Sequence, residues 1–267
     1  MCSQTVPAGE APLTGIFDSH AHYNDPRFDA DRDAVLARLF AGPVAHILNC
    51  GITLADSQAC LQTARRWPGM LAAAGIHPEN ILESQPEDIG RLEALYADPK
   101  VVAVGEIGLD YHWDTPRDLQ RIYFEEQLKL ANRLGLPVVV HDREAHADTM
   151  ELLRRYRPKG VMHCFSGSAE MARELVELGM YVGFTGVVTF RNARRPLEAA
   201  AAVPAERLLI ETDCPYMAPV PCRGSRCDSG MLGYTAAALA QVKDMSVAEL
   251  VHQTACNAGR LFGVEVL

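Results

Sequence analysis

Residues 15–22 read G-I-F-D-S-H-A-H, a short apolar run that leads into a His-x-His pair. Alternate side chains of an extended segment share one face, so Asp18, His20 and His22 can project together from the end of a strand. Two neutral imidazoles on one side of a backbone supply half of a site for a zinc-like divalent ion. A doubly wound nucleotide-binding sheet would carry a glycine-rich phosphate turn here, so the stretch argues against that fold.

Short β-rich runs alternate with helix-length amphipathic stretches along the chain. The strands are almost continuously apolar, which indicates burial on both faces, as in a parallel sheet wrapped by helices. We predict strands at 14–18, 44–50, 70–75, 101–106, 136–141, 160–164, 180–185 and 207–212. Helical patterns occur at 31–40, 54–67, 118–134, 169–178, 195–201, 231–242 and 246–262. Eight such units predict an α/β fold, a (β/α)8 TIM barrel, because an open sheet usually stops near about six strands.

Length and composition agree with one large domain. The chain has 267 residues, 48% of them apolar, and a single barrel typically needs about 250 residues. We expect residues 1–12, rich in Pro, Ala and small polar residues, to be a flexible lead, and residues 13–267 to form one TIM-barrel domain. We find no secretory signal pattern and no run of about 20 apolar residues, so we expect no membrane association.

Cysteine spacing and net charge indicate the cellular compartment and limit the kinds of substrate. The eight cysteines include no Cys-x-x-Cys pair, which is typical of reduced thiols and predicts a cytoplasmic protein. A net charge of −9 argues against a broad electrostatic grip on duplex nucleic acid. An anionic substrate held at one cationic spot remains compatible with this charge.

Metal-binding residue types recur where the predicted strands end. The carboxyl ends of all strands of such a barrel meet at one rim, which carries the chemistry. Strand one ends at the His-x-His pair, and strands four, five, six and eight end at Glu106, His141, His163 and Asp213. Six nitrogen and oxygen ligands exceed the four of a structural zinc site and predict a dinuclear centre, with Glu106 as the bridge. We expect one ion on His20, His22 and Asp213, and the other on His141 and His163.

Three further residues are candidates for contacts around this centre. His77, in the Gly-Ile-His-Pro segment after strand three, is expected either to support a ligand or to face the substrate. Arg143 and Arg223 follow strands five and eight, so each could line the mouth and bind a substrate group. The alternative for each arginine is an ordinary solvated loop charge. His46 lies early in strand two, and we expect it at the opposite end of the barrel in a structural role.

Six motifs over residues 16–262 resemble those of the TatD family of metal-dependent deoxyribonucleases, which belongs to the amidohydrolase-type barrels. In order, they are D-S-H-A-H-Y-N-D-P-R-F, G-I-H-P-E, V-G-E-I-G-L-D-Y, L-P-V-V-V-H-D-R, H-C-F-S-G and I-E-T-D-C-P-Y-M-A-P. The resemblance implies that the family's metal ligands correspond to His20, His22, Glu106, His141, His163 and Asp213. It also implies that the products are nucleotides released from a DNA end.

One loop departs from the family pattern. After strand eight the family usually reads P-x-P-H-R-G-x-x-N-x-P, whereas residues 219–229 read P-V-P-C-R-G-S-R-C-D-S. Cys222 and Cys227 therefore stand in place of a histidine and an asparagine. Because this loop borders the site in a barrel, we expect any effect to fall on substrate preference rather than on metal chemistry.

The expected reaction is hydrolysis of a phosphodiester. Two divalent ions, Mg²⁺ or Mn²⁺ with Zn²⁺ as an acceptable substitute, would lower the pKa of water and polarise a phosphate oxygen. Asp213 is the candidate for orienting or deprotonating the water, and Glu106 for bridging the ions. The expected substrate is nucleic acid, at single-stranded DNA ends, with no obligate protein partner evident. The alternatives are an amidase, lactonase or aminoacyl-ester deacylase on the same site, or a non-catalytic metal-binding protein.

Overall fold

The structure is a computed structural model that describes residues 13–266. The lead predicted for residues 1–12 lies outside the described residues. Eight parallel strands form one sheet in sequence order, each hydrogen-bonded to the next along the chain. The strands are β1 (Ile16–Ala21), β2 (Val44–Cys50), β3 (Met70–Ala74), β4 (Val101–Asp110), β5 (Val138–Arg143), β6 (Gly160–Met162), β7 (Tyr181–Phe184) and β8 (Leu208–Ile210).

The first and last strands meet and close the sheet into a barrel. Ala21 and Cys214 form a parallel bridge. The backbone N–H of Asp213 donates to the carbonyl of His20 at 3.0 Å, and the N–H of His22 donates to the carbonyl of Cys214 at 2.8 Å. These contacts confirm the predicted (β/α)8 barrel.

Helices fill the intervals between the strands and cover the sheet. They are α1 (Arg32–Phe40), α2 (Leu54–Arg66), α3 (Asp88–Leu92), α4 (Arg117–Leu134), α5 (His146–Tyr156), α6 (Ala169–Glu177), α7 (Arg194–Ala202), α8 (Leu232–Lys243) and α9 (Val247–Phe262). The ends of α9 have local causes, since Ser246 and Glu249 form a capping box at its start and Gly263 ends it in the left-handed conformation. Within residues 13–266, no helix is long and apolar enough to span a membrane.

One end of the barrel interior is closed by apolar packing. Alternate strand residues form a buried cluster that includes Phe17, and Ala258 and Phe262 of α9 join it. The rings of Phe17 and Phe262 lie 5.9 Å apart. The rings of His46 and Phe17 have their centroids 5.2 Å apart, so His46 lies at this closed end, as predicted. The functional side chains therefore belong to the opposite end.

Strands β1 and β4 run further than the sequence pattern predicted. β4 continues through Asp110 instead of ending at Glu106, because the polar end of the strand finds buried partners. The backbone N–H of Asp110 donates to Oε1 of Gln120 at 2.7 Å. Gly108 has a φ of +148°, and a Cβ there would lie 1.9 Å from the carbonyl oxygen of His141. Glycine thus permits the close approach of β4 to β5 beside the site.

Candidate metal centre

The structure brings the six predicted ligands together at the carboxyl end of the barrel. His20 belongs to β1, Glu106 to β4 and His141 to β5, while the other three lie just beyond strand ends. The rings of His20 and His163 stack with their centroids 3.8 Å apart, although 143 positions separate them in sequence. Three overlapping groups are spaced closely enough to hold a metal ion: His20, Glu106 and His163; His20, His22 and Asp213; and His77, Glu106 and His141.

One oxygen of the Glu106 carboxylate faces the His-x-His pair. Oε2 lies 3.3 Å from Nε2 of His20 and 3.3 Å from Nε2 of His22. Oδ1 of Asp213 approaches the same two nitrogens at 3.6 and 3.4 Å. These four side chains form one half of the cluster.

The other oxygen of Glu106 faces a second group of imidazoles. Oε1 lies 2.9 Å from Nε2 of His163 and 3.1 Å from Nδ1 of His141. His77 approaches the same oxygen through Nε2 at 3.4 Å. A single carboxylate therefore contacts two separate nitrogen groups, one through each oxygen.

Close packing of acids and imidazoles perturbs their protonation in the metal-free protein. Burial raises the pKa of the Glu106 carboxyl, but the charges of His163 and His20 outweigh it and hold that pKa well below its usual range. Burial likewise disfavours the charged form of His22, yet its hydrogen bonds to Asp213 and Glu106 raise its pKa to about 10. The cluster thus neutralises its buried carboxylates with imidazolium groups when no cation is bound.

His77 has a hydrogen-bonding pattern that differs from that of a metal ligand. Its Nδ1 accepts a hydrogen bond from the backbone N–H of Glu79 at 3.2 Å. A neutral ring with an accepting Nδ1 carries its proton on Nε2, which is the nitrogen that faces Glu106. His77 is therefore arranged as a hydrogen-bond donor toward Glu106 and also lines the cavity, so both predicted roles, supporting a ligand and facing the substrate, remain open to it.

A cavity of about 710 Å³ opens above the cluster. Glu106, Asp213 and His77 lie on its floor and walls, and so does Arg143, whose side chain is exposed. Arg223 does not line this cavity. Its guanidinium instead lies 4.1 Å from the ring centroid of Phe190, so the structure brings only one of the two predicted arginines to the site.

Comparison with known proteins assigns the sequence to a family. The family model for the TatD related DNase covers residues 17–263. The chain is 39% identical to an uncharacterized metal-dependent hydrolase, YabD, of Bacillus subtilis, over 93% of this chain and 99% of that protein. It is 40% identical to the 3′-5′ ssDNA/RNA exonuclease TatD of Cronobacter turicensis, over 92% and 97%.

The chain belongs to the TatD family. The crystal structure of YjjV, a TatD homologue from Escherichia coli K12, superposes with a TM-score of 0.88 at 32% identity, covering 94% of this chain and 98% of the other. The protein is accordingly a metal-dependent hydrolase with a TIM barrel. Its donor set fits that description, because imidazole nitrogens and carboxylate oxygens together bind borderline and hard divalent ions.

Two carboxylates that the sequence analysis did not select support the cluster of this TatD-family protein from behind. Oδ2 of Asp110 lies 2.8 Å from Nε2 of His141. Oε1 of Glu211 accepts a hydrogen bond from the backbone N–H of Cys164 and lies 3.6 Å from Nδ1 of His163. Carboxylates behind metal-ligating histidines orient the ring and fix its tautomer. The signal was available, since both residues stand inside the quoted motifs, but a motif does not say which way a side chain points.

The buried side chain of Glu211 fits because its neighbour in β7, Gly183, is a glycine. A Cβ at Gly183 would lie 2.5 Å from Oε2 of Glu211. The same oxygen accepts a hydrogen bond from Oγ of Ser19 at 3.3 Å. Glycine at this strand position is therefore required by the approach of a buried carboxylate rather than by backbone conformation.

Asp18 joins β1 to the segment after β8. Its carboxylate accepts hydrogen bonds from the backbone N–H of Thr212 at 3.0 Å, from Oγ1 of Thr212 at 2.6 Å and from Oγ of Ser229 at 2.7 Å. Asp213, which follows Thr212 in the chain, has a φ of +57°. Such a conformation is uncommon for a residue with a side chain and persists where surrounding contacts enforce it. The network around Asp18 thus helps to aim Asp213 at the two histidines of β1.

The loop that departs from the family pattern is packed into the protein. Cys222 and Cys227 are both buried, and neither lines the cavity. Arg226 ties the loop to Asp31, the residue just before α1, by an ion pair of 2.7 Å. The expectation that the two cysteines affect substrate preference therefore stays a prediction. A direct role in loop packing agrees better with their burial.

Proposed function

We propose that this TatD-family hydrolase is a deoxyribonuclease that uses two divalent ions to cleave phosphodiester bonds at single-stranded DNA ends. The observation that carries the proposal is the Glu106 carboxylate, whose two oxygens face two separate groups of imidazoles. A bridging carboxylate between two nitrogen-rich half-sites suits a two-metal phosphodiesterase. The Cronobacter turicensis relative is a 3′-5′ ssDNA/RNA exonuclease, which supports this substrate class.

Glu106 would bridge the two ions. The remaining ligands would be His20, His22 and Asp213 on one side, and His141 and His163 on the other. Mg²⁺ or Mn²⁺ would be used, and the nitrogen-rich donor set would also accept Zn²⁺. Divalent ions at this site would supply a water of lowered pKa and positive charge for a phosphate oxygen.

The side chains of the cavity wall would carry out the remaining steps. Asp213 is 15% exposed and lies 3.4 Å from Nε2 of His22, so its carboxylate can orient the attacking water and take its proton. The Nε2–H of His77 can donate to a phosphate oxygen. Arg143 supplies an exposed positive charge at the mouth for the same group.

The acidic net charge is compatible with this substrate. A protein that processes a strand end needs few phosphate contacts, because the bound ions would supply the largest local positive charge. We also propose a cytoplasmic location and no obligate protein partner.

The test is a substrate panel for the purified protein with Mg²⁺, Mn²⁺ or Zn²⁺. The panel contains end-labelled single-stranded DNA, a lactone and an aminoacyl ester. We expect cleavage of DNA from an end, with nearly all turnover lost in Glu106→Ala and retained in Glu83→Ala, an exposed glutamate outside the cavity. Faster hydrolysis of the lactone or the ester than of DNA would contradict the proposal and favour the carbonyl hydrolase.

A further inference from the structure

Acidic side chains outnumber arginine and lysine in the walls of the cavity, which is unusual for a site that binds a polyanion. Among the described residues that line it, Arg143 is the one arginine and no lysine takes part. Apart from the proposed ligands, four acids line it: Asp25, Asp56, Glu79 and Asp142. Electrostatic attraction from side chains along a phosphate backbone is therefore weak here, so a further kind of contact is needed to hold the nucleotides of a strand end.

Trp113 is a large apolar side chain left open at this cavity. It lies in the loop after β4, lines the cavity and is 51% exposed. One contact limits the motion of the ring, since His112 packs against it in a T-shaped arrangement with centroids 5.0 Å apart and planes at 83°. Nδ1 of His112 in turn lies 2.9 Å from a carboxylate oxygen of Glu144. A braced indole with an open surface loses little conformational freedom when a ligand stacks on it.

Arg143 stands beside this indole. Its Cζ lies 5.8 Å from the ring centroid of Trp113, and both side chains line the cavity above the cluster of proposed metal ligands. An aromatic surface next to a single cation matches the two parts of a nucleotide, the flat base and the charged phosphate. The cavity volume of about 710 Å³ is in the range of about 300–1,000 Å³ typical of small-ligand sites, which favours a strand end over a duplex.

We propose that Trp113 stacks on a base of the terminal nucleotides of single-stranded nucleic acid, while Arg143 binds the adjoining phosphate. The inference rests on the proposed nuclease function and names the residues that recognise its substrate. Recognition is then mainly by stacking, which accepts every base because every base has a flat face. With Arg143 as the one arginine and no lysine among the described lining residues, arginine and lysine side chains should add only about −0.7 to the slope of log affinity against log salt.

Tryptophan fluorescence tests the contact without relying on turnover. The chain has two tryptophans, and the other one, Trp67, packs on Phe40 with centroids 5.7 Å apart and does not line the cavity. Trp67→Phe leaves Trp113 as the sole tryptophan, and Trp113→Phe leaves Trp67 as the matched control. Both proteins are titrated in EDTA, which prevents cleavage, with a short single-stranded oligonucleotide and with the same oligonucleotide carrying abasic terminal positions.

We expect saturable quenching of Trp67→Phe by the intact oligonucleotide and none of Trp113→Phe. The abasic oligonucleotide should bind at least about fivefold more weakly, the lower end of what one stacked base contributes. In the metal-loaded enzyme, Trp113→Ala should raise KM by about 5- to 150-fold with little change in kcat, and Trp113→Phe should restore most of the affinity.

The outcomes separate this inference from the proposed function. Equal affinity for the abasic and intact oligonucleotides, absence of quenching, or an unchanged KM in Trp113→Ala overturns the stacking role even if DNA is cleaved. Base-dependent quenching without phosphodiester cleavage under any metal supports the stacking role and overturns the proposed nuclease.

Discussion

Oδ2 of Asp110 lies 2.8 Å from Nε2 of His141, while Nδ1 of the same ring lies 3.1 Å from Oε1 of Glu106. The two ring nitrogens thus face different partners. A ring that binds a cation through Nδ1 has to carry its proton on Nε2, and the carboxylate of Asp110 is placed to accept that hydrogen bond. This pair sets the tautomer and the orientation of one proposed ligand.

Removal of the Asp110 carboxylate should weaken metal binding in a graded way. Asp110→Asn keeps an acceptor oxygen but loses the charge, whereas Asp110→Ala loses both. We expect the alanine variant to lose about 10- to 100-fold in Mn²⁺ affinity, measured by calorimetry, and the asparagine variant to lose less. Asp118→Asn, at an exposed position of α4, is the control. Equal effects of the three substitutions would contradict the proposed role.

Substitutions of Glu106 and of Asp213 should differ in their effects on bound metal and on turnover. Glu106→Ala takes away the carboxylate that contacts both imidazole groups, so we expect both ions and nearly all turnover to disappear. Asp213→Asn keeps an oxygen ligand but not a base, so turnover should fall by about 10²–10⁴-fold with metal partly retained. Elemental analysis of the dialysed proteins, read beside their kcat values, separates the two. Two bound ions in Glu106→Ala would disprove the bridge.

His77 should affect catalysis without affecting metal content. Because its Nδ1 accepts a hydrogen bond from Glu79, Nε2 is a donor, and His77→Gln keeps a polar group of different reach. We expect kcat to fall at least about tenfold while the number of bound ions is unchanged. Loss of an ion in this variant would instead make His77 a ligand. The metal content of the variant, measured by elemental analysis, is the decisive readout.

Metal binding should release protons at neutral pH. Burial opposes protonation of His141, yet its hydrogen bonds to Asp110 and Glu106 raise its pKa to about 9, and that of His22 is raised to about 10. Both rings are therefore charged in the metal-free protein at pH 7, and a ligand imidazole has to be neutral. Affinity for Mn²⁺ should increase from pH 6 toward pH 9. Calorimetry in buffers of different ionisation enthalpy measures the protons released, and a pH-independent affinity would contradict this expectation.

Much of the barrel was predictable because strand and helix periods are local properties of the chain. The eight predicted strands overlap the eight observed ones, and α2, α4 and α9 begin and end within one residue of their predicted bounds. The predicted β4 was too short, because an acidic residue such as Glu106 usually marks the end of a buried strand. Asp110 stays in the strand because Gln120 hydrogen-bonds its backbone, and that contact comes from a helix ten residues later.

The residue pattern was sufficient to select the six clustered side chains, because parallel strands of a closed barrel end at one rim. It could not tell which oxygen of Glu106 faces which histidines, nor that Asp110 and Glu211 stand behind the rings. The pattern also could not separate Arg143, which reaches the cavity, from Arg223, which lies over Phe190. These facts depend on side-chain direction and on the packing of loops far apart in sequence, and only the folded chain brings such groups within hydrogen-bonding distance.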